Sequence, residues 1–161
     1  MTFTDTHCHL ADPKLADTLP AVLTEAQAAG VARFIVPATS PKDWRAVAQL
    51  ERPSENIHIA LGIHPWFSDG LNEAAFQELE SELIRHPQAW VGEIGLDFYG
   101  KEQTQAQRDT QTDVFIRQLI LAQNLNRRVI IHNLKASAAI AAAVKTAGFT
   151  RGGIVHAFSG S

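Results

Sequence analysis

Short, almost wholly aliphatic runs recur along this chain, each separated from the next by a stretch with helical spacing. Phe34-Ile35-Val36 and Val129-Ile130-Ile131 contain no polar alternation, the pattern of strands covered on both faces, as in parallel sheets. Six runs predict strands at Phe3–Thr6, Arg33–Val36, Ile57–Leu61, Ala89–Ile94, Arg128–His132 and Gly153–His156. Leu15, Leu19, Val22, Leu23 and Ala26 share one helical stripe, which Gly30 ends. Pro41 opens a second helix with Ser40 as its N-cap. Phe76, Leu79 and Leu83 mark a third, Phe115, Leu119 and Ala122 a fourth, and Ile140 and Val144 a fifth, which Gly148 stops. This β-α alternation predicts a parallel sheet with helices outside it. Two closures are open: a doubly wound sheet complete in this length, or a (β/α)₈ barrel, which typically takes about 250 residues and eight strands.

The chain has 161 residues, expected to form a single domain over 1–161. Its 17 acidic against 14 basic side chains give a net charge of −3, which argues against a general nucleic-acid coat but not against an enzyme that takes a nucleic-acid end at a local site. The single cysteine, Cys8, forms no internal disulfide. No apolar run reaches the ~18–20 residues of a membrane span, and Met1 to Asp5 lack the regions of a signal peptide. The expectation is a cytoplasmic protein with no membrane partner.

Chemistry-bearing residues cluster at predicted strand ends. His7-Cys8-His9 follows the first strand, where alternation points His7 and His9 the same way and Cys8 the other. His132 and His156 end the fifth and sixth strands. In parallel α/β folds these carboxyl ends form the active-site face, so four histidines would meet at one mouth. Glu93, at the end of the fourth strand between Val91 and Ile94, must be paired or bound to metal if buried. A salt bridge to an arginine is one reading, and a ligand bridging two ions is the other. Gly92 and Gly95 allow close backbone approach beside it. Cys8 reads as a packing thiol rather than a nucleophile. His58 and His86 read as structural, Trp44 and Trp90 as packed in the core or under helices, and Trp66 as a residue lining the mouth.

Phe3 to Leu10, Gly62-Ile63-His64-Pro65, Val91 to Asp97 and Val155 to Ser161 together resemble, in order, the motifs of the TatD family of metal-dependent deoxyribonucleases. The resemblance implies a (β/α)₈ barrel of the TIM type, incomplete here with about six strands and five helices. It implies that His7, His9 and Glu93 hold one divalent ion and that Glu93, His132 and His156 hold a second. His64 and Asp97 match motif positions and are expected to support the ligands or position substrate. The family's remaining ligand, an aspartate of a later strand, has no counterpart here, and the chain reads as cut after its sixth strand. Where the family often has Ser-Arg after the fifth-strand histidine, this chain has Asn133-Leu134, with Lys135 next in line as a substitute cation.

The implied activity is two-metal hydrolysis of DNA phosphodiester bonds, with a single-stranded end as substrate. Histidine and carboxylate ligands suit zinc, manganese or nickel, whereas magnesium, linked to the family's nuclease activity, prefers oxygen. A terminal base could stack on Trp66 or Tyr99. Two alternatives stand beside this: a metal-dependent hydrolase of a small amide or ester, and an inactive truncated fragment. An open barrel leaves unpaired edges and uncovered apolar faces, so an oligomer or a poorly stable monomer is expected.

Overall fold

A computed structural model describes residues 1–52, 56–100 and 102–158. All six strands are present: β1 (Phe3–Asp5), β2 (Val31–Pro37), β3 (Ile57–Leu61), β4 (Trp90–Asp97), β5 (Val129–Leu134) and β6 (Gly153–His156). They pair in sequence order, β1-β2-β3-β4-β5-β6, and every pair is parallel. A doubly wound sheet would reverse direction part-way and carry helices on both faces. Here the order never reverses. The main apolar cluster joins one sheet face (Phe34, Val36, Ile59, Leu61, Val91, Ile131) to the helices, through Trp44, Leu79, Phe115 and Ile140 among others. The other face carries a separate small cluster of strand residues alone: Ile35, Ala60 and Ile130, with Trp90 and Ile154 against it. The sheet is therefore a curled, singly wound half-barrel of the TIM type. Its two outer strands approach at their C-terminal ends, where the rings of His7 and His156 stack with centroids 3.7 Å apart.

The connecting helices are α1 (Leu19–Ala28), α2 (Trp44–Ala48), α3 (Glu73–Arg85), α4 (Gln105–Asn124) and α5 (Ser137–Thr146). No helix among the described residues is long and apolar enough to cross a membrane. Three expectations need correction. Helix α2 begins at Trp44, and Ser40 does not cap it; the Asp43 carboxylate instead accepts from the Thr39 and Ser40 amides and from Thr39 Oγ1, which folds the residues before the helix into a turn. Leu15 does not share a helix with Leu19: it ends a separate 3₁₀ turn, Pro13–Leu15, and α1 begins only at Leu19, while Trp90 packs, half-buried, on the small concave-face cluster because its neighbour Val91 takes the helix-facing position. Strand β4 runs on to Asp97, which leaves Glu93 in mid-strand.

That last difference matters for the site. Strict alternation from Val91 would send Glu93 toward the helices. Between Val91 and Ile94 the register against β5 slips by one residue, since Val91 pairs with Val129 but Ile94 with Ile131. The extra residue makes a bulge, which re-aims Glu93 to the concave side. Its amide leaves the β4–β5 ladder and donates to the Ala38 carbonyl at 2.8 Å. Gly95 has φ +136°, and a side chain there would overlap the backbone of His132, so only glycine lets β4 lie this close to the fifth-strand histidine.

Helix α4 starts with a capping box between Thr104 and Gln107 and buries Val114, Phe115, Leu119 and Ala122. It also buries two glutamines seven residues apart, Gln111 and Gln118. Gln118 accepts from the Ile63 amide at 2.7 Å and donates to the Ile63 carbonyl at 3.0 Å. Gln111 accepts from the Asp97 amide at 3.0 Å. The helix thereby fixes the backbone just before His64 and at Asp97. Gln118→Leu leaves both polar groups of Ile63 buried without partners and should lower stability by about 3 kcal/mol; a thermal melt indistinguishable from the parent would contradict this clamp.

Candidate metal centre

The two oxygens of Glu93 face different partners. Oε2 lies 3.3 Å from His7 Nε2, and His7 Nε2 is 3.2 Å from His9 Nε2. Oε1 lies 2.9 Å from His132 Nδ1, 3.7 Å from His64 Nε2 and 3.9 Å from His156 Nε2. Glu93 is 3% exposed and pairs with no arginine among the described residues; imidazoles alone compensate it. Burial raises its pKa, but the hydrogen bonds with His132 and His7, and then the charge of His64, outweigh this and hold the carboxyl well below its ordinary range.

Each element delivers its side chain for a local reason. Strand β1 ends at Asp5, two residues before His7, yet the extended path continues: the Cys8 amide donates to the Ile35 carbonyl of β2 at 3.2 Å. Cys8 therefore points to β2, with its thiol on the same carbonyl, while His7 and His9 point into the mouth. Burial, and then the charge of Asp5, push the Cys8 thiol up to about 12. His132 and His156 are register partners on adjacent parallel strands and so share a face and a level. All four sequence-predicted histidines and Glu93 line one cavity of about 290 Å³, together with Thr39, His64, Trp66 and Phe67.

Asp97 lies outside that lining but touches it. Its Oδ2 is 3.3 Å from His132 Nε2 and accepts from the Trp66 indole at 2.8 Å; its Oδ1 accepts from the Tyr99 amide at 3.1 Å. The His132 pKa is raised: burial opposes the cation, but Glu93 and then Asp97 outweigh it. His64 differs. It caps the short 3₁₀ turn Pro65–Phe67, and its Nδ1 accepts from the Trp66 amide at 3.1 Å. An imidazole whose Nδ1 is an acceptor carries its proton on Nε2, so His64 presents an N–H to the cavity. Burial lowers its pKa to about 4, which leaves it neutral near pH 7. Burial and then the charge of His7 lower that of His156 as well.

Two groups have the composition and spacing of a metal site: His7, His9 and Glu93, and His64, Glu93 and His132. They share only Glu93. The donor set fits divalent cations, and the approach of two imidazole nitrogens to 3.2 Å suits a shared cation between them. His58 is half-buried on the concave face, where burial and then Arg33 lower its pKa. His86 pairs with Glu51 at 2.7 Å, and Trp44 is buried with its indole on the Gly62 carbonyl; none of the three lines the cavity. Asn133 turns to the helix side and donates to Ser137 Oγ of α5, and Lys135 is exposed; neither lines the cavity. Ser159, Gly160 and Ser161 of the last motif lie outside the described residues. Sequence reading missed Thr39, Gln111 and Gln118. The two glutamines had a signal, polar residues on the apolar stripe of α4.

Comparison with known proteins gives concordant matches. The family described as TatD related DNase matches residues 4–161. The metal-dependent hydrolase YjjV of Escherichia coli K12 is 35% identical over 161 residues, 99% of this chain and 61% of the relative. Human deoxyribonuclease TATDN3 is 30% identical over 168 residues, 97% of this chain and 60% of its own length. The crystal structure of YjjV superposes with a TM-score of 0.89 over 99% of this chain and 61% of that one. A TatD family hydrolase of Entamoeba histolytica, at 21% identity, shares the fold with a TM-score of 0.84 over all of this chain and 60% of that one. The chain thus spans about three fifths of the length of these relatives. With a family match running from Thr4 to the last residue and the same half-barrel in a 35% identical structure, the chain belongs to the TatD family.

Proposed function

We propose that this site binds two divalent cations on either side of Glu93 and that the protein hydrolyses DNA phosphodiester bonds, with a single-stranded end as substrate. The observation that carries the proposal is the division of the Glu93 carboxylate, Oε2 toward His7 and His9, and Oε1 toward His132 and His156. The family description and the name of human TATDN3 support DNA as the substrate. The assignment gives His7, His9 and Glu93 to one ion and Glu93, His132 and His156 to the other. Bound there, divalent cations supply the positive charge that neutralises a phosphodiester and favours attack by water.

The chain's own residues then have distinct tasks. His132 offers Nδ1 to a cation while Asp97 keeps its Nε2–H, the arrangement that fixes a ligating imidazole. His64 is a hydrogen-bond donor to the phosphate rather than a ligand, because the Trp66 amide occupies its Nδ1. Glu93 holds both halves of the site together. Cys8 takes no part, since its thiol faces the Ile35 carbonyl.

Zinc or manganese should raise the melting temperature of the chain, by the equivalent of about 2.7 kcal/mol at a hundredfold excess over Kd. EDTA should reverse the shift and Glu93→Gln should abolish it; a full shift in the Glu93→Gln protein would contradict the shared carboxylate. Activity is read by incubating a labelled single-stranded oligonucleotide, beside a panel of small esters and amides, with magnesium, manganese, zinc or nickel. The chain alone and the chain extended by the C-terminal part of YjjV are compared. The extended protein should shorten the DNA, and the chain alone should do so weakly or not at all. Intact DNA with turnover of an ester would overturn the nuclease reading. Cys8→Ala should keep the rate of the extended protein within about twofold, as expected for a thiol that is not ionised; loss of turnover with the metal-induced melting shift retained would show that the thiol takes part.

A further inference from the structure

Trp66 is 71% exposed, an unfavourable position for a large apolar ring. It is nonetheless fixed. Its indole N–H donates to Asp97 Oδ2 at 2.8 Å, and Asp97 is itself 6% exposed. Its amide donates to His64 Nδ1 at 3.1 Å, and its ring meets the His64 ring edge-on, with centroids 4.9 Å apart and planes at 74°. The indole is thus held by its polar edge on a buried carboxylate, and most of its surface remains open to solvent while it lines the cavity around Glu93. The carboxylate that holds it also contacts His132, so the ring is tied to the group that faces Glu93. Packing does not explain such a ring, since burial of its surface is what it lacks. A rigid aromatic face left open to solvent is how single-stranded nucleic acids are gripped, by stacking on a base whose own face is free.

We propose that Trp66 is a specificity-determining residue, stacking on the unpaired base next to the phosphate held at the Glu93 site. This rests on the phosphodiester reading of that site. It follows that ligands bearing a base are favoured over bare sugar phosphates, and that an unpaired end is favoured over a duplex interior, where neighbouring bases cover both faces.

The test uses the whole chain with zinc present and compares the binding of deoxyadenosine 5′-monophosphate with that of 2-deoxyribose 5-phosphate by calorimetric titration. The expected preference for the nucleotide is about tenfold or more. Trp66→Ala should reduce that ratio to near one, and Trp66→Phe, which keeps an aromatic face without the indole N–H, should retain an intermediate ratio. Melting curves confirm that both variants are folded. A ratio near one in the parent protein, or an undiminished ratio in Trp66→Ala, overturns the stacking role while leaving the phosphodiester reading in place. Failure of both ligands to bind the zinc-loaded parent overturns that reading and the stacking role together.

Discussion

A carboxylate removed from water must be compensated where it sits, and the centre of this structure is organised around that requirement at Glu93. At 3% exposure the group has lost nearly all hydration, and no arginine among the described residues reaches it. Imidazoles brought in from four separate strand ends provide the compensation. A single neutral histidine would be a weak partner for a buried anion. Of the four around the two oxygens of Glu93, His7 and His132 lie within hydrogen-bond reach at 3.3 and 2.9 Å, whereas His64 and His156 stand off at 3.7 and 3.9 Å, and it is this cluster of nitrogens around one carboxylate that has the composition of a cation site.

The positions of these groups depend on details that regular strand geometry does not supply. The bulge in β4 turns Glu93 inward, and glycine at position 95 lets the strand lie against His132. Beyond the strand ends, loops carry His64 and Trp66, and loops would be loose without outside support. Helix α4 provides it with Gln118 on the Ile63 peptide and Gln111 on the Asp97 amide, while Asp43 folds the turn around Thr39. The Thr39 carbonyl in turn accepts from the His64 amide at 2.8 Å. Buried amide side chains of this kind rigidify because leaving either partner unpaired is so unfavourable.

The strands and their terminal histidines were legible because both signals are local: an aliphatic run marks a strand, and the residue at its end belongs to the mouth whichever way the sheet closes. Closure was not local. A doubly wound sheet and a barrel have the same alternation of elements, and only the monotonic strand order, with a concave face free of helices, separates them. The expectation of Glu93 at a strand end differs from its place in mid-β4, since alternation cannot anticipate the bulge between Val91 and Ile94. Gln111 and Gln118 escaped notice because glutamine on a helix usually faces water. His64 matched a motif, but its role as a donor depends on a backbone amide two residues later, which no residue-type pattern encodes. Ser40 looked like a cap, yet the carboxylate that organises that turn is Asp43.

The relatives are longer by roughly two fifths of their length, and the six strands bring His7, His9, Glu93, His132 and His156 to one cavity. The first and sixth strands already meet through the stacked rings of His7 and His156, so the convergence of the site is a property of the six strands themselves. It is tested most directly by anomalous diffraction from crystals of the chain grown with zinc. Two peaks are expected on opposite sides of Glu93, about 3.5–4 Å apart, one within about 2.1 Å of His7 and His9 Nε2 and the other beside His132 and His156. A map with no peak in contact with Glu93 would contradict the shared two-cation site.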